Sequence, residues 1–276
     1  MPTPTAIPVD KLARLVGTAG CPVVVDVRPD DALRDDPRRI PGSVRRSAAD
    51  IARWSADLAG RSAVVICRHG HELSHGAAAY LRQAGVAAET LEGGFDAWEA
   101  AGLPLVPEAK LPPRDARGRT VWVTRARPKI DRIACPWLIR RFVDPDAIFL
   151  FVPPPEVNAV AERYGGAAFD IDDPGAFWSH RGELCTFDVI VEELGLATPP
   201  LLRLATLVRG ADTARLDLAP EAAGLLAASL GLSRIYADDL AQLDAGMLLY
   251  DAFYRWCRDA TEETHNWPTN RPKERT

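Results

Sequence analysis

The sequence predicts an α/β chain in two parts: an N-terminal parallel sheet with helices on both faces, then an α-rich α+β region with a small sheet. Three observations predict it. Up to about residue 102, continuous β-branched runs alternate with helical spacing, the pattern of buried parallel strands joined by crossover helices. The stretch LPLVPEAKLPPRDARGRT (103–120) is rich in Pro and charge and lacks helical periodicity. Beyond it a few short apolar runs give way, from Asp188 onward, to long helical patterns. The expected divisions are therefore 1–106, a linker at 107–119, and a second unit at 120–276.

In the first part CPVVVDVR (21–28) and SAVVIC (62–67) read as buried strands, and VAAETLEGG supplies another. SAADIARWSADLAG (47–60) has helical spacing with Ser47 as its cap, and SHGAAAYLRQAG (74–85) is a helix closed by a C′ glycine. FDAWEAAG gives the last helix, ending at Gly102. In the second part the expected strands are 120–125, 147–152 and 167–171. PKIDRIACPWLIRRFVD (128–144) places Ile130, Ile133, Ala134, Trp137, Leu138 and Phe142 at roughly helical spacing, with Pro136 inside. VIVEEL, PPLLRLATLVRG, PEAAGLLAASLG and ADDLAQLDAGMLLYDAFYRWCRD complete the helices, and a frayed tail is expected from about Thr264.

Composition narrows the function classes. At 47% hydrophobic and 26% charged, the 276 residues suit a globular protein with a sizeable core. A net charge of −5 gives no overall attraction to nucleic acid or anionic membrane. The start, MPTPTAIPVDKLARLVG, lacks a long apolar region, and no run approaches the roughly 20 apolar residues of a membrane span. Five scattered cysteines without a CxxC pair disfavour both a disulfide framework and a thiolate zinc site. The expected location is the cytoplasm.

Cys67 ends a buried strand and precedes a helix, so backbone amides and the helix dipole face its sulfur. Arg68, His69 and His71 add positive charge, and Gly70 lets the backbone wrap inward. The alternative is a buried, inert thiol at a strand end. His69, His71 and His75 beside a thiolate admit a metal in principle, but they read better as the lining of an enlarged loop than as ligands. VVVDVR, IPGSV, VVICRHG and LEGGFDAWEAAGLP, in this order, resemble the rhodanese family over roughly residues 8–106. The resemblance implies a parallel-sheet domain whose loop cysteine, Cys67, carries persulfide sulfur with Arg68, His69, Gly70 and His71 around it. It also implies that Asp26 and Arg28 support the active-site end of the sheet, and that Gly93, Gly94 and Trp98 are architectural. The loop departs from the C-R-x-G-x-R-S pattern: CRHGHEL runs seven residues before Ser74. Leu73 stands where the C-x5-R arginine of related phosphatases clamps an oxyanion, which argues against phosphatase chemistry.

The second part holds Arg125, Arg127 and Lys129 in alternation, with Arg132 close behind; on an extended segment the first three share a face suited to an oxyanion. A solvated face with ion pairs to Asp131 and Asp144 is the competing reading. FDIDDPGAFWSHRGELCTFD (169–188) groups His180, Glu183, Cys185 and Asp188, with Asp170, Asp172 and Asp173 just upstream. His180, Glu183 and Asp188 are the expected ligands of a divalent metal (Zn, Fe or Mn), against a plain polar loop. WVTRARPKIDRIACPWLIRRFVDPDAIFLFV, FDI, SHRGELCTFD, LVRGADT and LGLSRIYADD resemble the C-terminal domain of ChrB-type chromate-resistance proteins over about residues 119–260. That resemblance implies a link to chromate and singles out Arg125, Arg127, Lys129, Asp131, Arg132, His180, Glu183, Arg209 and Asp212.

The leading expectation is a rhodanese-type sulfurtransferase, needing no cofactor for sulfur transfer, that takes thiosulfate or a persulfide as donor. The alternative is a non-catalytic oxyanion- or metal-binding sensor of chromate stress. Neither nucleic acid nor membrane is an expected partner, and no helix-turn-helix signal is present.

Overall fold

A computed structural model describes residues 5–263, so the tail expected to fray from Thr264 lies outside the described residues. The first half runs β1 (Ala6–Ile7), α1 (Val9–Leu15), β2 (Val23–Asp26), α2 (Asp30–Asp35), β3 (Arg38–Arg39), β4 (Val44–Arg45), α3 (Ile51–Trp54), β5 (Ser62–Ile66), α4 (Glu72–Gln83), β6 (Ala87–Leu91), α5 (Gly94–Ala100) and β7 (Val106–Pro107). Strands β1-β6-β5-β2-β4 form one parallel sheet in that order. Alternate side chains leave opposite faces. Val24, Val64 and Ile66 join one core with Leu12, Phe95 and Trp98, while Val23, Val25 and Val65 join another with Trp54 and Leu81. Burial on both faces explains why these strands read as unbroken apolar runs. Asp26 pairs in register with Ile66, which puts the ends of β2 and β5, and hence Cys67, at one edge.

The second half runs β8 (Val121–Arg125), α6 (Asp131–Phe142), β9 (Ile148–Val152), α7 (Val157–Arg163), β10 (Ala167–Ala168), α8 (Thr186–Glu193), α9 (Pro199–Asp212), α10 (Ala222–Ile235) and α11 (Asp239–Asp259). Its parallel sheet has the order β10-β8-β9. Trp137 of α6 is fully buried among Phe142, Phe187, Tyr250 and Tyr254, the last at 5.5 Å between ring centroids. Such aromatic packing supplies large apolar burial from few residues.

The stretch expected as a linker is ordered. β7 pairs antiparallel with β3, and Glu108 bridges Arg39 (2.8 Å) and Arg114 (2.7 Å). The core on the α1–α5 side continues into Phe142 and Tyr254 of the second half, and Gly42 N donates to Phe142 O at 2.7 Å. The two halves therefore share apolar burial.

Several local expectations change. Ser47 makes no side-chain cap; its segment is broken into the short α3 flanked by single 3-10 turns. α4 starts at Glu72 rather than Ser74, so the Cys67 loop is 67–71 and Leu73 belongs to the first helical turn. β10 is two residues long, because Asp170 just beyond it takes φ +49, outside strand geometry. α1, α2 and α7 are not among the elements expected from sequence; all are short, and α2 buries no residue. Among the described residues, no helix is long and apolar enough to cross a membrane.

Candidate functional site

The Cys67 loop is built by backbone. Cys67 O accepts from Phe95 N at 2.9 Å and Arg68 O from Asp96 N at 3.0 Å, so the first amides of α5 anchor the loop. Gly70 has φ +72, and a β-carbon there would lie 2.8 Å from Gly94 N. Gly94 has φ +62, and its β-carbon would lie 2.7 Å from Arg68 O and closer still to Cys67 O. Only glycine permits this approach of two backbones. Hence the LEGG turn, read from sequence as architectural, sets the position of the cysteine.

Within the loop, Cys67 Sγ accepts from His71 N at 3.3 Å and lies 3.1 Å from Ser74 Oγ, which itself reaches His71 O at 3.0 Å. One amide and one hydroxyl surround the sulfur, fewer than the bowl of amides expected. Cys67 is buried at the floor of a pocket of about 310 Å³ lined by Pro29, Asp31, Asp35, Arg68, His71 and Glu72, among others. Arg68 and His69 turn onto Asp96, at 3.5 and 2.8 Å, instead of standing free over the sulfur. Asp26 and Arg28 are fully buried but do not line this pocket. The Arg28 guanidinium bonds both Asp26 oxygens, reaches the Asp36 and Arg38 carbonyls, and stacks 3.8 Å over Phe95. Their place is structural, at the end of β2.

The second constellation is assembled by side chains from distant segments. His180 Nε2 lies 3.5 Å from Asp131 Oδ2, 3.4 Å from Asp170 Oδ1 and 3.3 Å from Asp212 Oδ2. Asp131 opens α6, Asp170 follows β10, Asp212 ends α9, and His180 sits in the loop before α8. The first residue of α8 fixes two of the acids: Thr186 N donates to Asp131 Oδ2 (2.6 Å) and Thr186 Oγ1 to Asp170 Oδ1 (3.0 Å). Arg125 and Arg132 both bridge Asp170 Oδ2 at 3.2 Å. The remaining oxygen of Asp131, Oδ1, is buried with no hydrogen-bond partner.

Electrostatics follow from this crowding. Complete burial pushes the Asp131 carboxyl up to about 7, aided by Asp212 and Asp170 and opposed by His180. Hydrogen bonds to Asp131, Asp170 and Asp212 push the His180 imidazole up to about 12, against its partial burial. Asp170 is held low despite desolvation, because His180, Arg132 and Arg125 favour its charge. The buried thiols Cys135 and Cys185 are driven well above the usual range by desolvation. Asp131, Asp170 and His180 thus form a group whose atoms all lie within 4.8 Å of one another and which could hold a metal ion.

Two sequence expectations need correction. Glu183 and Asp188 do not join His180: the Glu183 side chain is 90% exposed with Arg215 4.0 Å away. Asp188 is spent on Arg209 (2.6 Å) and on Cys185 N at the start of α8 (3.1 Å). Of the three aspartates that surround His180 instead, Asp170 lies in the same stretch, while Asp131 and Asp212 are remote in sequence and were marked only by the family resemblance. Nor do Arg125, Arg127, Lys129 and Arg132 share a face. Arg127 takes φ +58, ending the extended alternation, and its side chain binds the Ser233 carbonyl at 2.9 Å. Lys129 is exposed, whereas Arg125 and Arg132 clamp Asp170.

The fold and loop of the first half define a rhodanese-like domain, and the matching family models agree. The rhodanese-like domain model matches residues 8–101, and the model described as ChrB, C-terminal domain, matches residues 122–257. The chain joins a rhodanese-like domain to a ChrB C-terminal domain. Protein ChrB of Cupriavidus metallidurans is 34% identical over 157 residues, 55% of this chain. The chain spans only 46% of that relative's length. A rhodanese-related protein of Thermoplasma volcanium is similar at 27% identity and TM-score 0.33, covering 37% of this chain and 98% of its own. A thiosulfate sulfurtransferase of Pseudomonas aeruginosa matches at 27% identity and TM-score 0.33, over 38% of this chain and 19% of its own.

Proposed function

We propose that the protein is a rhodanese-type sulfurtransferase that carries sulfane sulfur as a persulfide on Cys67. Its ChrB C-terminal domain would tie that chemistry to chromate or oxyanion resistance. The observation that supports this reading is the placement of Sγ in the lining of a pocket, accepting from the His71 amide with the Ser74 hydroxyl 3.1 Å away. An amide so placed favours the charged form of the sulfur. In the transfer, the Cys67 sulfur attacks the outer sulfur of a donor persulfide. A new S–S bond forms, the donor's S–S bond breaks, and the donor leaves as a thiol with the proton. Leu73 offers no clamp for a phosphoryl group, which favours sulfur over phosphate chemistry. All five cysteines are free, in keeping with a reducing cytoplasm. Cyanide added to polysulfide-treated, desalted protein should release about one thiocyanate per chain and none from Cys67→Ser. Absence of thiocyanate from the unaltered protein would overturn the reading.

A second reading, a metal-binding sensor, is favoured by one observation. A single imidazole N–H can donate well to one acceptor, yet three carboxylate oxygens surround His180 Nε2 at 3.3 to 3.5 Å. Ligands about 2.1 Å from a tetrahedral ion stand about 3.4 Å apart. His180, Asp131 and Asp170 would then hold one divalent ion, with Asp212 beside the imidazole, and an imidazole with carboxylates suits Zn, Fe or Mn. Metal titration of chelator-treated protein should give one site per chain, lost in His180→Ala. Absence of binding by the unaltered protein would sink it.

A further inference from the structure

The charge around Cys67 constrains its sulfur partner. The pocket is lined by Asp31, Asp35 and Glu72, and by Arg68, His69 and His71. Asp31 and Asp35 stand four residues apart on α2 and share a helix face. Their acidic neighbours are neutralised, Asp30 by Arg45 and Asp36 by Arg38, both at 2.6 Å. Among the described residues Asp31, Asp35 and Glu72 have no such ion pair. The one guanidinium of the lining, Arg68, is already matched by Asp96 from behind, as is His69. With histidines counted neutral, three carboxylates line a mouth only about 310 Å³ in volume, against one arginine that Asp96 already pairs.

We infer that Cys67 exchanges sulfur with a persulfide borne on a neutral or cationic small thiol, rather than with an anion such as thiosulfate; this rests on the persulfide reading above. Uncompensated like charge at the mouth repels an incoming anion over roughly a Debye length, about 10 Å at moderate salt. Field focusing in a cleft changes capture rates by about tenfold or more. The chemistry itself is unaltered: Cys67–SH and R–S–SH give Cys67–S–SH and R–SH, with no net oxidation. Charge on R decides only which donor arrives.

Two persulfides of opposite side-chain charge isolate that effect: cysteamine persulfide, with a cationic ammonium, and 3-mercaptopropionate persulfide, with an anionic carboxylate. Each loading rate is divided by the same donor's rate with a neutral small thiol, so that the unequal acidity of the leaving thiols cancels. Loading of the full chain is followed by intact mass at low and high salt. The cation should load about tenfold faster at low salt, and the advantage should shrink to about twofold at high salt. Asp31→Asn/Asp35→Asn should collapse the ratio at low salt, mainly by accelerating the anion. Equal rates for the two donors, or a ratio indifferent to salt and to the double variant, would overturn the inference while leaving the carrier reading intact. Loading by neither donor, in either protein, would sink both.

Discussion

The two constellations differ in how they are built. The Cys67 loop is a local device: five consecutive residues, 67–71, pinned by the turn at Gly93 and Gly94 and by the first amides of α5. The His180 cluster is non-local, drawing on residues 131, 170, 180 and 212, with Thr186, Arg125 and Arg132 fixing the acids. A backbone-built site survives most side-chain changes except at its glycines and its nucleophile. A site built of buried charges fails when any one partner is removed, because the others are left unpaired.

That contrast can be broken first at Asp131. Asp131→Asn should weaken divalent-metal affinity by about a hundredfold or more in titration calorimetry, with sulfur loading on Cys67 unchanged. Loss of loading as well would mean that the sites are not independent. Of similar size is Asp26→Ala, which leaves the Arg28 guanidinium buried and uncompensated. Denaturant unfolding should show a loss of about 3–5 kcal/mol, while the protein that remains folded still loads sulfur. A variant as stable as the parent would remove Asp26 and Arg28 from the framework. Thr186→Val takes the hydroxyl from Asp170 Oδ1 but keeps the amide on Asp131. Metal affinity should fall about tenfold, the size expected of an outer partner. An unchanged affinity would show that Asp170 needs no such positioning. Smallest of all is Glu183→Gln, which should leave metal affinity within about twofold, the side chain being exposed and outside the cluster. A large loss there would restore the arrangement expected from sequence.

Proton release offers a further check on the same cluster. The three carboxylates hold His180 protonated far above the ordinary imidazole range, up to about 12. An ion that takes Nε2 must therefore expel that proton at neutral pH, so metal binding should strengthen as pH rises. Calorimetry in buffers of different ionisation enthalpy reads the protons directly. Binding without proton release would place the ion elsewhere.

Legibility followed the same division. The parallel sheet was readable because each strand is buried on both faces and its residues lie together in the chain, as in Val23–Asp26 and Ser62–Ile66. Cys67 was readable because strand, loop and helix are contiguous. His180 could be singled out, and the family resemblance marked Asp131 and Asp212 as well, but nothing in the order of residues tells that Asp131, Asp170 and Asp212 converge on it while nearby Glu183 points to solvent. The arginine run misled for a related reason. Alternation implies one face only if the chain stays extended, and Arg127 takes a left-handed φ that ends it. Where α4 begins was also hidden, since Glu72 and Leu73 suit a loop or a first helical turn equally well.

The central claim is that Cys67 carries sulfur, and intact-protein mass measurement tests it most directly. After brief exposure to a small cationic persulfide and removal of excess, the protein should gain the mass of one sulfur atom. Reductant should reverse the gain, and Cys67→Ser should show none. An unaltered protein that gains nothing, or a Cys67→Ser protein that gains the same mass, would contradict the account.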